Sequence, residues 1–88
     1  MTATPADFSI DVGSDQEHER LVADIYYRGQ YVGSITEENG PGQFDFEHNR
    51  QAPGAESDMG RCPLSGFLMA VEAAADRLRS MKHRDADA

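Results

Sequence analysis

Apolar and polar residues alternate in the first half of the chain. Residues 8–12 read FSIDV, and this period of two predicts a short β-strand. Residues 21–38 are rich in Val, Ile and Tyr and are interrupted by Arg28-Gly29, which predicts two strands joined by a tight turn. A second turn is predicted at 39–42, and the alternation resumes over 43–48.

The spacing of apolar residues changes at Leu64. From there to residue 81 they recur at intervals of three and four, which predicts an amphipathic helix. The run 73–75 is all alanine and favours helix, and Ser65, which follows Pro63 closely, is a suitable N-cap. The sequence therefore predicts an α+β fold, a two-layer sandwich of a three- to four-stranded antiparallel meander sheet packed against one long C-terminal helix.

The chain has 88 residues, which is enough for one small domain. We expect a flexible N-terminus at 1–7, a single α+β domain at 8–83 and a flexible tail at 84–88. Residues 49–62 contain Pro, Gly, small residues and mixed charges without a clear period. They predict a mobile loop inside the domain, because an unstructured connection of this length is unusual in a compact fold.

The need for one apolar sheet face predicts how the strands pair. A three-residue first loop, 27–29, would pair Ile25 with Tyr31, and the same requirement pairs Ile35 with Phe46. The face toward the helix would then hold seven side chains: Leu21, Ala23, Ile25, Tyr31, Ile35, Phe44 and Phe46. A helical stripe would cover them, made of Phe67, Leu68, Val71 and Leu78.

The opposite face would be open, because one helix covers only one side of a sheet. It would carry four carboxylates and a tyrosine with no Lys or Arg among them: Asp24, Tyr26, Glu38, Asp45 and Glu47. One interpretation is the ordinary solvated face of an antiparallel sheet. The other is a binding surface for a basic protein, since like charges on neighbouring strands destabilise a sheet and attract cations. These five residues are the candidate partner-binding site.

The candidate chemistry of the chain excludes several classes. The net charge is -8, and residues 1–60 hold 12 of the 16 acidic but only 3 of the 8 basic residues, which argues against nucleic acid and anionic membranes as partners. Catalysis by paired carboxylates needs a dry pocket, which an open face lacks, so we expect no enzyme.

Metal and redox chemistry are not indicated either. His18, His48 and His83 lack ligand spacing, so we expect no metal and no cofactor. Cys62 is the single cysteine and cannot form a disulfide within the chain. Residues 1–7 have neither the basic start nor the apolar run of a signal peptide, so we expect a cytoplasmic protein.

Residues 25–40, IYYRGQYVGSITEENG, have an aromatic pair before the turn, an aliphatic second strand and an acid before the next turn. A strand at 44–47 and a proline-led helix at 63–68 follow. Over residues 21–79 the chain resembles small bacterial immunity proteins of polymorphic-toxin and contact-dependent inhibition systems. The resemblance implies a non-enzymatic inhibitor that neutralises a toxin, with no single site residue carried over. The strand pairs 26–27 and 31–32 before the helix also resemble HicB-like antitoxin domains.

A different class of function is also open. A small structural protein would self-associate as a homodimer through an exposed strand edge, at 8–12 or at 43–48. A face-to-face dimer through the acidic surface is disfavoured, since like charges would meet.

Overall fold

A computed structural model describes residues 4–14, 21–40, 42–48 and 60–87, the last seven of these by their backbone only. Its four strands form one antiparallel sheet in the order β1-β2-β3-β4, and one helix packs against it. The predicted α+β arrangement is confirmed. The elements are β1 Phe8–Gly13, β2 Val22–Tyr27, β3 Gln30–Thr36, β4 Asp45–Glu47 and α1 Leu64–Asp87.

The turn between β2 and β3 contains two residues, not three. Arg28 and Gly29 have φ angles of 50° and 83°, as a type I′ turn requires at both central positions. Tyr27 pairs directly with Gln30 across this turn. The predicted loop 27–29 was therefore wrong by one residue, because the left-handed conformation extends to Arg28 and leaves Tyr27 in the ladder.

A β-bulge follows the turn and shifts the register. Tyr26 pairs with Tyr31 but Ile25 pairs with Gly33, so Val32 is the extra residue on β3. Directly opposed residues share a face, which places Tyr31 beside Tyr26 on the side away from α1. The prediction that Tyr31 faces the helix was wrong, because the bulge changes the alternation of β3 between its first and second halves.

The core lies between α1 and the sheet, mainly above β1 and β2. The predicted pairing of Ile35 with Phe46 is confirmed. Nine residues form the buried cluster: Phe8, Ile10, Ala23, Ile25, Ile35, Ala70, Ala73, Ala74 and Leu78. Three of the four helical members are alanines, whose small side chains let the helix approach the sheet closely.

Two residues expected in the core are exposed. Leu68 is 55% exposed and Phe46 is 50% exposed. The helix presents its alanine stripe to the sheet, and this orientation turns Leu68 away from the sheet. Phe46 lies on the predicted face, since it pairs with Ile35. The prediction that the helix–sheet interface buries Phe46 and Leu68 was wrong, because the helix lies over β1 and β2 and leaves β4 at the border of the layer.

The ends of the elements differ slightly from expectation. The Phe67 amide donates to the Pro63 carbonyl at 2.9 Å, so Pro63 occupies the N-cap position and Ser65 lies inside the first turn. The helix continues to Asp87, beyond the predicted start of the tail at 84. At the start of β1, the Asp7 carbonyl accepts a hydrogen bond of 2.7 Å from the Arg28 amide in the turn between β2 and β3. Most of the predicted mobile loop, residues 49–59, lies outside the described residues, as does His18.

Candidate protein-binding surface

Carboxylates cross the face of the sheet that points away from α1. The register sets Asp11 opposite Asp24, Asp24 opposite Ser34, and Ser34 opposite Glu47. Opposed residues share a face, so these side chains form one row across four strands. We call Asp11, Asp24 and Glu47 the acidic row. Asp45 lies two residues from Glu47 on β4 and therefore projects to the same side.

The structure brings together four of the five predicted site residues on this face, namely Asp24, Tyr26, Asp45 and Glu47, and it places the fifth, Glu38, in the turn after β3. Sequence reasoning missed Asp11, because it did not pair β1 with the rest of the sheet. A signal was present, since Asp11 alternates with Ile10 and Val12 and so cannot share their side of the strand.

A buried hydrogen-bond network occupies the centre of the face. The Ser34 hydroxyl donates to Asp24 Oδ1 at 2.6 Å, and the Tyr31 hydroxyl lies 2.6 Å from Ser34 Oγ. The ring of Tyr31 packs edge-on against Tyr26, with centroids 5.8 Å apart, and against His48 at 5.0 Å. Asp24 is therefore a structural partner as well as a member of the acidic row.

The centre of this face is not open to solvent. Four of its side chains are buried: Val22, Tyr31, Ser34 and Thr36. Asp24 and Tyr26 are half-buried. The expectation of an open face was wrong here, because the bulge delivers the Tyr31 ring to this side and its hydroxyl closes over Ser34.

The carboxylates act electrostatically on Tyr26. Its partial burial raises the pKa of the phenol above the ordinary value of 10.0, and the nearby charges of Asp24 and Asp11 raise it further. Tyr26 is therefore a neutral hydroxyl at physiological pH, surrounded by negative charge. It offers a hydrogen-bonding group and an aromatic ring but no charge of its own.

Asp11 is exposed on β1, and three more exposed carboxylates lie at the β4 side of the sheet. Asp45 and Glu47 are exposed on β4, and Glu38 is exposed in the preceding turn. The Asn39 side-chain amide donates to the Asp45 carboxylate, and the Gly42 amide donates to Glu37 Oε2 at 2.7 Å. The turn between β3 and β4 is thus held by its own polar groups. The predicted site divides into a half-buried centre and this accessible acidic margin.

The other side of β4 is apolar. The Phe46 ring packs edge-on against Phe67 with centroids 5.5 Å apart, yet half of Phe46 is exposed. Leu64 is 71% exposed, and it lies three residues before Phe67 and four before Leu68 on one flank of α1. We call Phe46, Leu64 and Leu68 the apolar margin. Sequence reasoning missed it as a surface, because it placed Phe46 and Leu68 in the helix–sheet interface.

Leu64 and Leu68, the two helical residues of the apolar margin, lie on the flank of α1 that faces β4. On the opposite flank, Arg77 donates to the Ile10 carbonyl of β1 at 2.9 Å. On the β4 side, the Arg79 guanidinium lies 4.8 Å from the centre of the Phe44 ring. These two contacts fix the rotation of the helix, and they leave Leu64 and Leu68 on the side of the molecule where β4 ends the sheet.

Other site chemistry is limited in the part of the chain that the structure describes. Within residues 4–14, 21–40, 42–48 and 60–80, His, Cys, Asp and Glu nowhere form a group of three or more that would hold a metal ion. Cys62 is a half-buried thiol beside the core. No segment of α1 is both apolar enough and long enough to cross a bilayer.

Comparison with protein-family models, curated proteins and solved structures finds no match to this chain. The resemblance of residues 21–79 to immunity proteins therefore stays a hypothesis, and the function is argued from the surface itself.

Proposed function

We propose that this chain is a non-enzymatic protein-binding module that takes a basic partner protein at its acidic surface. The observation that carries the proposal is the alignment of carboxylates on one face of the sheet, with Asp45 and Glu47 exposed at its border. The contact surface consists of Asp11, Glu38, Asp45 and Glu47, with Asp24 and Tyr26 at its half-buried centre.

One pair of carboxylates on this face repels across neighbouring strands. Asp11 and Asp24 are directly opposed on neighbouring strands, where like charges destabilise the pair. Lysine or arginine side chains of a partner would relieve that repulsion on binding. The net charge of -8 also accelerates the encounter with a basic protein through long-range attraction.

The finer proposal is an immunity protein, an inhibitor that neutralises a basic toxin in the cytoplasm. It is supported by the resemblance of residues 21–79 to such proteins and by the acidity of the surface. A toxin that acts on nucleic acid has a basic active surface, because phosphate binding depends on Lys and Arg. An acidic sheet face would compete for that surface.

The test uses the full chain as bait in its own host, with identification of the proteins that co-elute. The association rate of the captured protein is then measured for wild type and for the double variant Asp45→Lys/Glu47→Lys. We expect association to be slower by about tenfold or more and to depend less on salt, because two attractive charges become repulsive.

The matched control changes the same number of charges on α1, in Glu72→Lys/Asp76→Lys. Circular dichroism establishes that both double variants are folded. An association rate that falls equally in both variants, or in neither, contradicts the proposal that the β4 side of the acidic surface is the site.

The alternative function is self-association through a strand edge, and of the two edges of the described sheet only one is suited to it. Antiparallel pairing of two β4 strands about Phe46 would set Asp45 of one copy against Glu47 of the other, and like charges directly opposed are destabilising. The remaining edge is β1, which is six residues long. Sedimentation over a range of concentrations decides this alternative, and a monomer throughout excludes it.

A further inference from the structure

We propose that β4 accepts an extended segment of the partner as a fifth strand, in which basic and apolar residues alternate. The inference rests on the proposed function and specifies how the partner binds. The carrying observation is the chemistry of β4, the terminal strand of the described sheet. One of its sides shows carboxylates and the other shows exposed apolar side chains.

The apolar side arises from the width of the helix. Strands lie about 4.8 Å apart and a helix is about 10 Å across, so one helix covers about two strands. α1 lies over β1 and β2 and approaches β3 less. The ring of Phe46 lies over Gly33 of β3, where an added Cβ would come within 2.3 Å of it. The half-exposed Phe46 and the helix flank with Leu64 and Leu68 therefore border a strip beside β4 that neither α1 nor another described strand covers.

A β-strand is the kind of partner segment that can contact the carboxylates on one side of β4 and the apolar margin on the other. Side chains of a β-strand point alternately to the two faces of a sheet. A strand laid along β4 would place every second residue against the apolar margin and the others beside Asp45 and Glu47. A helix presents one face to its partner, so it would cover the apolar margin and leave the carboxylates unmatched.

The register gives the sequence pattern of the occupant. In an antiparallel ladder, an apolar residue lies opposite Phe46, and a Lys or Arg lies opposite Asp45 and opposite Glu47. Opposite charges at directly paired positions stabilise the pairing of two strands, and like charges there are unfavourable. The edge therefore rejects a second copy of itself and accepts a basic, apolar alternating strand.

The experiment measures peptide binding to the isotopically labelled full chain by NMR. The probe is a nine-residue peptide in which lysine and valine alternate, and the control is an isomer of the same composition with its valines grouped together. We expect the alternating peptide to bind at least tenfold more tightly and to shift the amides of 45–47. A third peptide, N-methylated on alternate backbone amides, keeps the side chains but loses ladder donors, and we expect it to bind at least tenfold more weakly.

Two helix variants test the apolar margin. Leu68→Glu places a charge in the strip, and we expect it to weaken binding of the alternating peptide about tenfold. Met69→Glu is the control, because Met69 is also half-exposed but is turned about 100° around the helix from Leu68. Thermal unfolding confirms that both variants are as stable as wild type, as expected for changes at exposed positions.

The outcomes separate this inference from the proposed function. Equal binding of the two isomers, full binding of the N-methylated peptide, no binding of any peptide, or equal effects of the two variants each overturn strand addition at β4. The proposed function is decided separately, by the association rate of the captured partner with Asp45→Lys/Glu47→Lys. A partner that still depends on these carboxylates while the peptides fail would bind the acidic face without adding a strand.

Discussion

Replacement of Ser34 by alanine tests whether the polar network inside the sheet is essential to the fold. Ser34 is completely buried, and its hydroxyl lies 2.6 Å from both Asp24 Oδ1 and the Tyr31 hydroxyl. Ser34 has one proton, which it donates to the carboxylate. The Tyr31 hydroxyl must then donate to Ser34 Oγ, so Ser34 links a buried phenol to a negative charge.

The size of the effect follows from these contacts. Loss of a hydrogen bond to a charged group costs about 1.5–3 kcal/mol, and loss of the second bond, between the Tyr31 and Ser34 hydroxyls, costs about 0.5–1.5 kcal/mol. These contributions overlap because they share one atom, so we expect Ser34→Ala to lower the free energy of unfolding by about 2–4 kcal/mol. That is a large share of the stability of a small domain.

Urea denaturation of the full chain measures the change, with Ser9→Ala as the matched control. Ser9 lies on β1, on the same face of the sheet as Ser34, but its side chain is exposed. Loss of its hydroxyl should change the free energy of unfolding by less than about 0.5 kcal/mol. In a Tyr31→Phe background, Ser34→Ala should cost about 1 kcal/mol less, because the hydrogen bond between the two hydroxyls is already absent. If Ser34→Ala is folded and within about 0.5 kcal/mol of wild type, the reasoning about this network is refuted.

Three further predictions concern the turn, the helix–sheet interface and the phenol. Gly29 has a φ of 83°, so Gly29→Ala should lower the free energy of unfolding by about 1 kcal/mol, whereas Gly13→Ala, which meets no atom within 4 Å, should not lower it; equal losses would contradict the turn geometry. Ala74 is fully buried against the sheet, so Ala74→Leu should cost about 1–3 kcal/mol by overpacking, and an unchanged denaturation midpoint would show that the interface is loose. The raised pKa of Tyr26 means that its neutral form stabilises the fold fully below pH 10.0 and that this contribution is lost as the pH rises through the folded-state pKa. Tyr26→Phe should therefore lose less stability than wild type above pH 10.0 in parallel urea titrations, and identical slopes would argue against the shift.

Local patterns account for what the sequence predicted correctly. The alternation in 8–12 and the three- and four-residue spacing from Leu64 each depend on neighbours along the chain, and both elements were found in place. The turn at Arg28-Gly29 was also visible, since glycine accepts a left-handed conformation. The error in its length concerned Arg28, because a positive φ in arginine has no sequence signal.

The pairing of β2 with β3 shows why an argument from one apolar face was partly right. The requirement for one apolar face determines only which of the two sheet faces each side chain points to, and it does not determine the length of the loop. A three-residue loop and a two-residue loop with a bulge give the same result for Ser34 and Ile35 but opposite results for Tyr31. The bulge therefore left most of the predicted face intact and moved the one tyrosine that now completes the buried network.

The acidic surface was determined largely by the sequence, and its accessible form was decided by the tertiary structure. Asp45 and Glu47 share a face because they are two residues apart on one strand, which is a local property. The addition of Asp11 required the pairing of β1 with β2, and the exposure of Phe46 and Leu68 required the position of α1 over the sheet. Both depend on contacts between segments far apart in the chain. Those contacts are selected by how whole surfaces pack, and no residue's immediate neighbours specify them.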